Sequence, residues 1–284
     1  MKFHFQGRHD ITDEWTCGPF ALKYALVMHG RFENEIEISR RAGAHWWNGT
    51  NEISLTRAAR YYGCSLKSIR RTQAEKARKT LNKYLRKKIP CILCVDEWNH
   101  WVTVINYSLQ KYIVVDSEES PVIQIYSWAQ LRRRWVYDDD ETEKSLYDLY
   151  PLIPKFKRLS KPRFTLRTAQ ELRKEKNQEL AKNWDHYFND LITICTPRTP
   201  LSINYISMSE FLRRRSKMMI EQASYWHGFP TKSELRDLLK RFEFVAKIYD
   251  LVIAEEDKFE ALSAFSSILM MYACGKYGMN KIYI

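Results

Sequence analysis

The sequence predicts an α+β domain over residues 1–155, followed by an all-α helical bundle over residues 156–284. Three observations predict it. Helix-like segments come first, short strand-like runs occupy about residues 91–126, and helical spacing returns beyond residue 162. Helices followed by strands give α+β rather than alternating βαβ units. A chain of 284 residues also exceeds the usual size of one domain.

The first helix is expected from Cys17 to Gly30, in CGPFALKYALVMHG. Phe20, Leu22, Tyr24, Ala25 and Met28 recur at helical spacing, Pro19 suits the first turn and Gly30 suits the stop. A second helix runs from about Ser54 to Gly63, and a third from about Gln73 to Lys88, closed by Pro90. Cys91–Val95, Trp101–Tyr107 and Tyr112–Asp116 then read as strands, with another at Val122–Tyr126. Between about Asp138 and Pro162 an acidic run, DDDETE, gives way to the basic, proline-bearing PLIPKFKRLSKP, the expected boundary. Four helices follow, over Thr165–Thr193, Ser207–His227, Thr231–Glu255 and Lys258–Tyr277, enough for a small bundle. Thr231–Glu234 has capping-box spacing, and Pro197 and Pro200 separate the first two helices.

Aromatic residues are too abundant for a disordered chain, with nine Trp, 17 Tyr and 13 Phe. No stretch approaches the roughly 18 apolar residues a membrane span needs, and MKFHFQGRHDITDEW lacks the apolar core of a secretion signal. A soluble, cytoplasmic protein is the expectation. The net charge of +12 is uneven: residues 1–150 carry 23 Lys/Arg against 19 Asp/Glu, and residues 151–284 carry 23 against 15. That balance permits an acidic partner without demanding one. The triple-arginine runs Arg132–Arg134 and Arg213–Arg215 cannot each form one flat patch on a helix, because consecutive residues point in different directions. A solvated, partner-facing surface is expected there, and nucleic acid is not the favoured partner.

Six cysteines in a chain this long do not make a disulfide scaffold. Cys91 and Cys94 form one CxxC inside an apolar run, with no second pair at zinc-site spacing, so neither a metal nor a cofactor is expected.

Thiol catalysis needs an activated sulfur, a neighbouring base and a group that orients the base. Cys17 stands where a loop enters a helix, so free N–H groups and the helix dipole favour a thiolate. Gly18 lets backbone approach closely, as an oxyanion site at the nucleophile's own N–H requires. His100 opens a strand on which it shares a face with Val102 and Val104, and a lone imidazole there must find a polar partner. Asp116 ends the next strand, and antiparallel pairing would bring it to His100. Cys17, His100 and Asp116 are therefore the candidate catalytic residues.

TCGPFALKYALVMHG resembles the nucleophile helix of the C39-type peptidases, papain-like enzymes that trim leader peptides from bacteriocins and related exported peptides. GTNEISLTRAARYYGCSLKSIR is similar to their "GTS…L…AA…LG" helix and following strand, NHWVTVIN to their histidine strand, and YIVVDSEE to their "DP" turn. The resemblance spans about residues 10–128, in order and with family-like spacing. It implies a papain-like fold for the first domain and the same three catalytic roles. Two positions depart from it. Where the family has an oxyanion-hole Gln, six residues before the Cys, this chain has Ile11, and Ser117 replaces the Pro after the Asp. Thr12 and Gln6 are the candidate replacement donors. Loss of one such donor typically costs roughly 10²–10³ in turnover. Gly18, His45, Trp46, Gly49, Thr50 and Asn99 are the candidate substrate-binding residues.

The expected function is a cysteine-dependent hydrolase cleaving a peptide or amide bond through a thioester. Its expected partners are a peptide or protein substrate and a protein bound through the helical domain. The missing Gln leaves open an impaired papain-like adaptor or an acyltransferase, and the basic second half leaves open a nucleic-acid-associated effector.

Overall fold

The computed structural model describes residues 16–45, 49–158, 162–199, 202–225 and 230–277. The chain divides into two units, Met1–Asn183 and Trp184–Ile284.

The first unit is built around α1 (Cys17–Val27), buried along its whole length. Next come α2 (Glu35–Ala42), α3 (Glu52–Tyr61), the short strands β1 (Cys64–Leu66) and β2 (Ile69–Arg71), and α4 (Ala74–Arg86). Strands β3 (Cys91–Val95), β4 (His100–Ser108), β5 (Lys111–Val115) and β6 (Ile123–Ser127) lead into α5 (Trp128–Trp135). The hairpin of β7 (Tyr137–Asp139) and β8 (Lys144–Pro154) completes the sheet, and α6 (Leu166–Leu172) and α7 (Gln178–Lys182) end the unit. The sheet is antiparallel in the order β1-β8-β3-β4-β5-β6, with β2 and β7 also paired to β8. One core cluster joins α1–α3 to Ile92, Cys94, Trp101, Tyr150 and Leu152. Another joins α4 and α5 to Cys91, Leu93, Val95, Val102, Val104 and Val114. Alternation along each strand separates these two faces.

The α+β expectation holds, and the expected helices at Cys17, Ser54 and Gln73 form within a few residues of their predicted limits. The structure adds detail to this expectation at three places. The stretch 138–162, read as a linker, contains β7 and β8, and β8 lies between β1 and β3. Two prolines disguised it, since proline argues against a central strand. Pro151 is accommodated at the last pair of the β3 ladder, opposite Cys91. The first unit accordingly continues past residue 155, and α6 packs on β4, β5 and β6. Arg173 donates to the Gln124 side chain at 3.0 Å across that contact.

The second unit has the expected helical part, with three short strands set among its described helices. It consists of α8 (Trp184–Ile192), β9 (Thr196–Pro197), β10 (Tyr205–Ser207), α9 (Met208–Ala223), α10 (Lys232–Tyr249), β11 (Leu251–Ala254) and α11 (Lys258–Tyr277). Its strands form a small antiparallel sheet in the order β10-β11-β9. The capping box of Thr231 and Glu234 starts α10 as expected. Asp250, at φ +50°, ends that helix early, and the buried Leu-Val-Ile run beyond it forms β11 instead of a further turn. Trp184, Phe188, Phe242, Tyr249 and Phe265 make the core, with the Trp184 indole donating to the Tyr249 hydroxyl at 2.9 Å.

Candidate active site

Cys17 is the first residue of α1 and is 7% exposed. The helix is tied to β4 by Thr103, whose hydroxyl donates to the Ala21 carbonyl at 2.6 Å. From that tie, Cys17 lies four residues, about 6 Å, back along the helix. His100 lies three residues back along the strand, so helix start and strand start come to the same end.

His100 and Asp116 meet because of a bulge. Strands β4 and β5 are joined through Leu109 and Gln110, both at positive φ. Next to that turn Asn106 faces Ile113, but past Ile105 the register shifts, so that Val104 faces Val114 and Thr103 faces Val115. Continued by one residue, the shifted ladder sets Asp116 opposite Val102, on the side of His100. The unshifted ladder would set it opposite Thr103, whose hydroxyl faces α1. The extra residue thus chooses the face on which the carboxylate stands.

The pair is fully enclosed: His100 Nε2 lies 2.7 Å from Asp116 Oδ1, with the residues 2% and 0% exposed. Burial alone would lower the histidine's pKa. The hydrogen bond and charge of Asp116, together with the neighbouring Cys17 sulfur, outweigh it and push His100 up to about 10. Burial alone would raise the Asp116 pKa, but the hydrogen bond and charge of His100 and the charge of Arg134 hold it below the usual carboxylate value. With Nε2 committed to Asp116, Nδ1 is the nitrogen left for Cys17. Glu118 Oε1 also lies 3.0 Å from Nδ1, on a half-exposed side chain. That contact lacks hydrogen-bond alignment, and Nδ1 has no aligned partner among the described residues.

The other oxygen of Asp116 is held too. Arg134 Nη1 donates to Oδ2 at 2.6 Å and to the Tyr126 hydroxyl at 2.8 Å. The Glu118 amide donates to Oδ1 at 3.1 Å. Arg134 stands on α5, which starts with a capping box of Ser127 and Gln130. Sequence reasoning missed this residue, reading its run as surface. The available signal was Ser-Trp-Ala-Gln at capping-box spacing, which starts a helix there.

Solved structures to which the chain is similar include peptidase domains. One is the peptidase domain of Streptococcus ComA, a bi-functional ABC transporter involved in a quorum-sensing pathway. It shows 20% identity, covers 52% of this chain and 96% of that one, and has a TM-score of 0.38. Another is a double-glycine-motif protease from an AMS/PCAT transporter, in complex with its leader peptide, at 20% identity, 52% and 96% coverage and a TM-score of 0.37. A third is the peptidase domain of Streptococcus mutans ComA, at 19% identity, 50% and 95% coverage and a TM-score of 0.33. No protein-family model matches the chain, and no curated protein matches it.

The remaining candidates fall into groups. Gly18 and Thr50 pack together beside Cys17: a Cβ on Gly18 would come within 3.0 Å of the Thr50 Cβ. Thr50 is fixed in turn by the Trp101 indole, which donates to its carbonyl at 2.8 Å. His45 and Gly49 pair through their backbones and, with Gly43, Asn51, Ser54 and Arg57, line a cavity of about 260 Å³. Cys17, His100 and Asp116 are not among its lining residues. Asn99 is exposed in the turn before His100, its amide donating to the Asp96 carbonyl at 3.1 Å. Gln6, Ile11, Thr12 and Trp46 lie outside the described residues. Cys91 and Cys94 belong to core clusters on opposite faces of the sheet, so the CxxC does not form a joint chelate or redox pair. Among the described residues no helix is long and apolar enough to cross a membrane.

Proposed function

We propose that the first unit is a papain-like, C39-type cysteine hydrolase that cleaves a peptide or amide bond. The observation that carries this reading is the enclosed His100–Asp116 pair, which leaves one imidazole nitrogen for a cysteine at the start of a buried helix. The Cys17 sulfur, as a thiolate beside the already protonated His100, attacks the carbonyl carbon, and the carbonyl electron pair moves onto oxygen. That oxygen is placed to accept from the free amides of the first turn of α1. Collapse of the adduct expels the amine, which takes the proton from His100 and leaves a thioester on Cys17. A water molecule, deprotonated by His100, then attacks the thioester and releases the acid and the thiol. Asp116 holds the imidazole in place throughout.

A second reading, a papain-like adaptor or a slow acyltransferase, is favoured by Ile11 where the family has an amide donor. The adaptor predicts that Cys17→Ala leaves the biological activity intact, whereas an acyltransferase, which uses the same thioester, would lose its activity in that variant.

An electrophilic thiol probe separates the two. Burial raises the thiol pKa of Cys64 to about 11 and those of Cys91, Cys94 and Cys195 further. At neutral pH the probe should label Cys17 in the native protein and lose that label in His100→Ala. Equal labelling of Cys17 in both proteins rejects the hydrolase.

A further inference from the structure

The turn that delivers His100 is strained. Asp96, Glu97 and Trp98 stand consecutively at φ +53°, +57° and +64°, a conformation unfavourable for side chains with a Cβ. Several contacts hold it. The Asp96 amide donates to the Arg134 carbonyl at 2.7 Å, and the Trp98 ring stacks on Tyr137 at 3.9 Å between centroids. The Arg70 guanidinium covers Trp98 at 4.9 Å. Arg134 also grips the Asp96 carboxylate, with Nε 3.0 Å from Oδ1 and 3.1 Å from Oδ2, and with Nη2 on Oδ2. The same guanidinium reaches Asp116 Oδ2 through Nη1. A single planar cation thus spans the turn before the histidine strand and the residue after the aspartate strand.

We propose that Arg134 is a positioning residue of the reaction, a clamp that fixes Asp116 and the His100 turn relative to each other so that the imidazole stands ready for Cys17. This rests on the hydrolase reading above. The geometry suits arginine specifically, because its rigid fork of donors meets two carboxylates at once, which a lysine ammonium on a flexible stem does not. The Tyr126 hydroxyl is the third group on the fork, and its ring lies 5.7 Å from the guanidinium carbon. Asp116 is left with no free rotation: one oxygen faces His100, the other Arg134. Without the clamp the carboxylate remains but its orientation is lost, and a misplacement of about 1 Å can cost roughly 10²-fold in rate.

The test is the alkylation rate of Cys17 by iodoacetamide from pH 5 to 10, followed by peptide mass spectrometry in the full chain, with a melting curve for each variant. Arg134→Gln should slow the reaction at pH 7 by about tenfold or more and change the shape of its pH profile. Arg134→Lys should recover less than half of that loss. Asp96→Asn, which leaves Arg134 and Asp116 in place, should slow the reaction by a smaller factor, and it decides the matter if Arg134→Gln does not fold. Rates within twofold of the native protein with an unchanged profile, in Arg134→Gln or, failing that, in Asp96→Asn, overturn the clamp while the hydrolase stands. A native rate that His100→Ala does not change removes the hydrolase reading and the clamp together.

Discussion

The two triple-arginine runs have the same composition and opposite fates. In Arg132–Arg134 the last side chain is 20% exposed and joins two carboxylates of the candidate site. In the second run, Arg213 and Arg214 are 62% and 69% exposed, and both pair with Glu210 one turn away on their own helix. The difference comes from what surrounds each run. Helix α5 follows directly on β6 and packs against the sheet, so one of its three arginines must point inward, where Asp96 and Asp116 already stand. On α9 the inward positions are taken by Phe211 and Leu212, and the arginines stay in water. A partly buried cation facing a fully buried carboxylate is costly to remove, whereas exposed pairs contribute little.

The largest expected effect follows from that contrast. Arg134→Met should destabilise the first unit by about 3 kcal/mol, because it leaves Asp116 Oδ2 in the interior without its cation, with only His100 and the Glu118 amide still on Oδ1. Arg213→Ala and Arg214→Ala should leave the urea midpoint where it is. Equal midpoints for all three variants would erase the contrast.

The next effect is in pH. The partners of His100 raise its pKa from 6.5 to about 10, so the stability they contribute is fully present below about pH 6.5 and is lost as pH rises toward 10. Asp116 has the opposite sign: its pKa is lowered, so its contribution is present above 3.8 and is lost as pH falls further. The urea midpoint of the native protein should therefore decline between pH 6.5 and 10, and His100→Ala should remove that decline. A slope that survives in His100→Ala assigns it to other groups.

Smaller again is Gly18→Ala. Its added carbon meets Thr50 at 3.0 Å, so it should cost about 1–3 kcal/mol and slow alkylation of Cys17. The smallest belongs to Glu118, half-exposed and poorly aligned with Nδ1. Glu118→Gln should change the alkylation rate less than any substitution at Arg134, and a larger change would make Glu118 part of the site.

Local signals made much of this legible in the sequence. The start of α1 was marked by Cys-Gly-Pro, the start of α10 by Thr-x-x-Glu, and the strands of His100 and Asp116 by β-branched runs. Helix α2 was overlooked despite an Asn34 cap and a left-handed Gly43 at its end, because only Glu35, Ile38 and Ala42 are buried and its apolar stripe is thin. Strand β8 was hidden by its prolines, and β11 by the long helical pattern ahead of it. The bulge at Ile105 has no local signature at all, yet it sets the face of Asp116. Arg134 became visible only once two distant turns were brought to one helix.

The central claim is that Cys17 and Asp116 share one imidazole, and the direct measurement is an NMR titration of His100 in the native protein and in Cys17→Ala. The imidazole should stay protonated to about pH 10 in the native protein and titrate at lower pH once the sulfur is removed. Titration at the same pH in both proteins, or near 6.5 in the native one, would contradict the pairing.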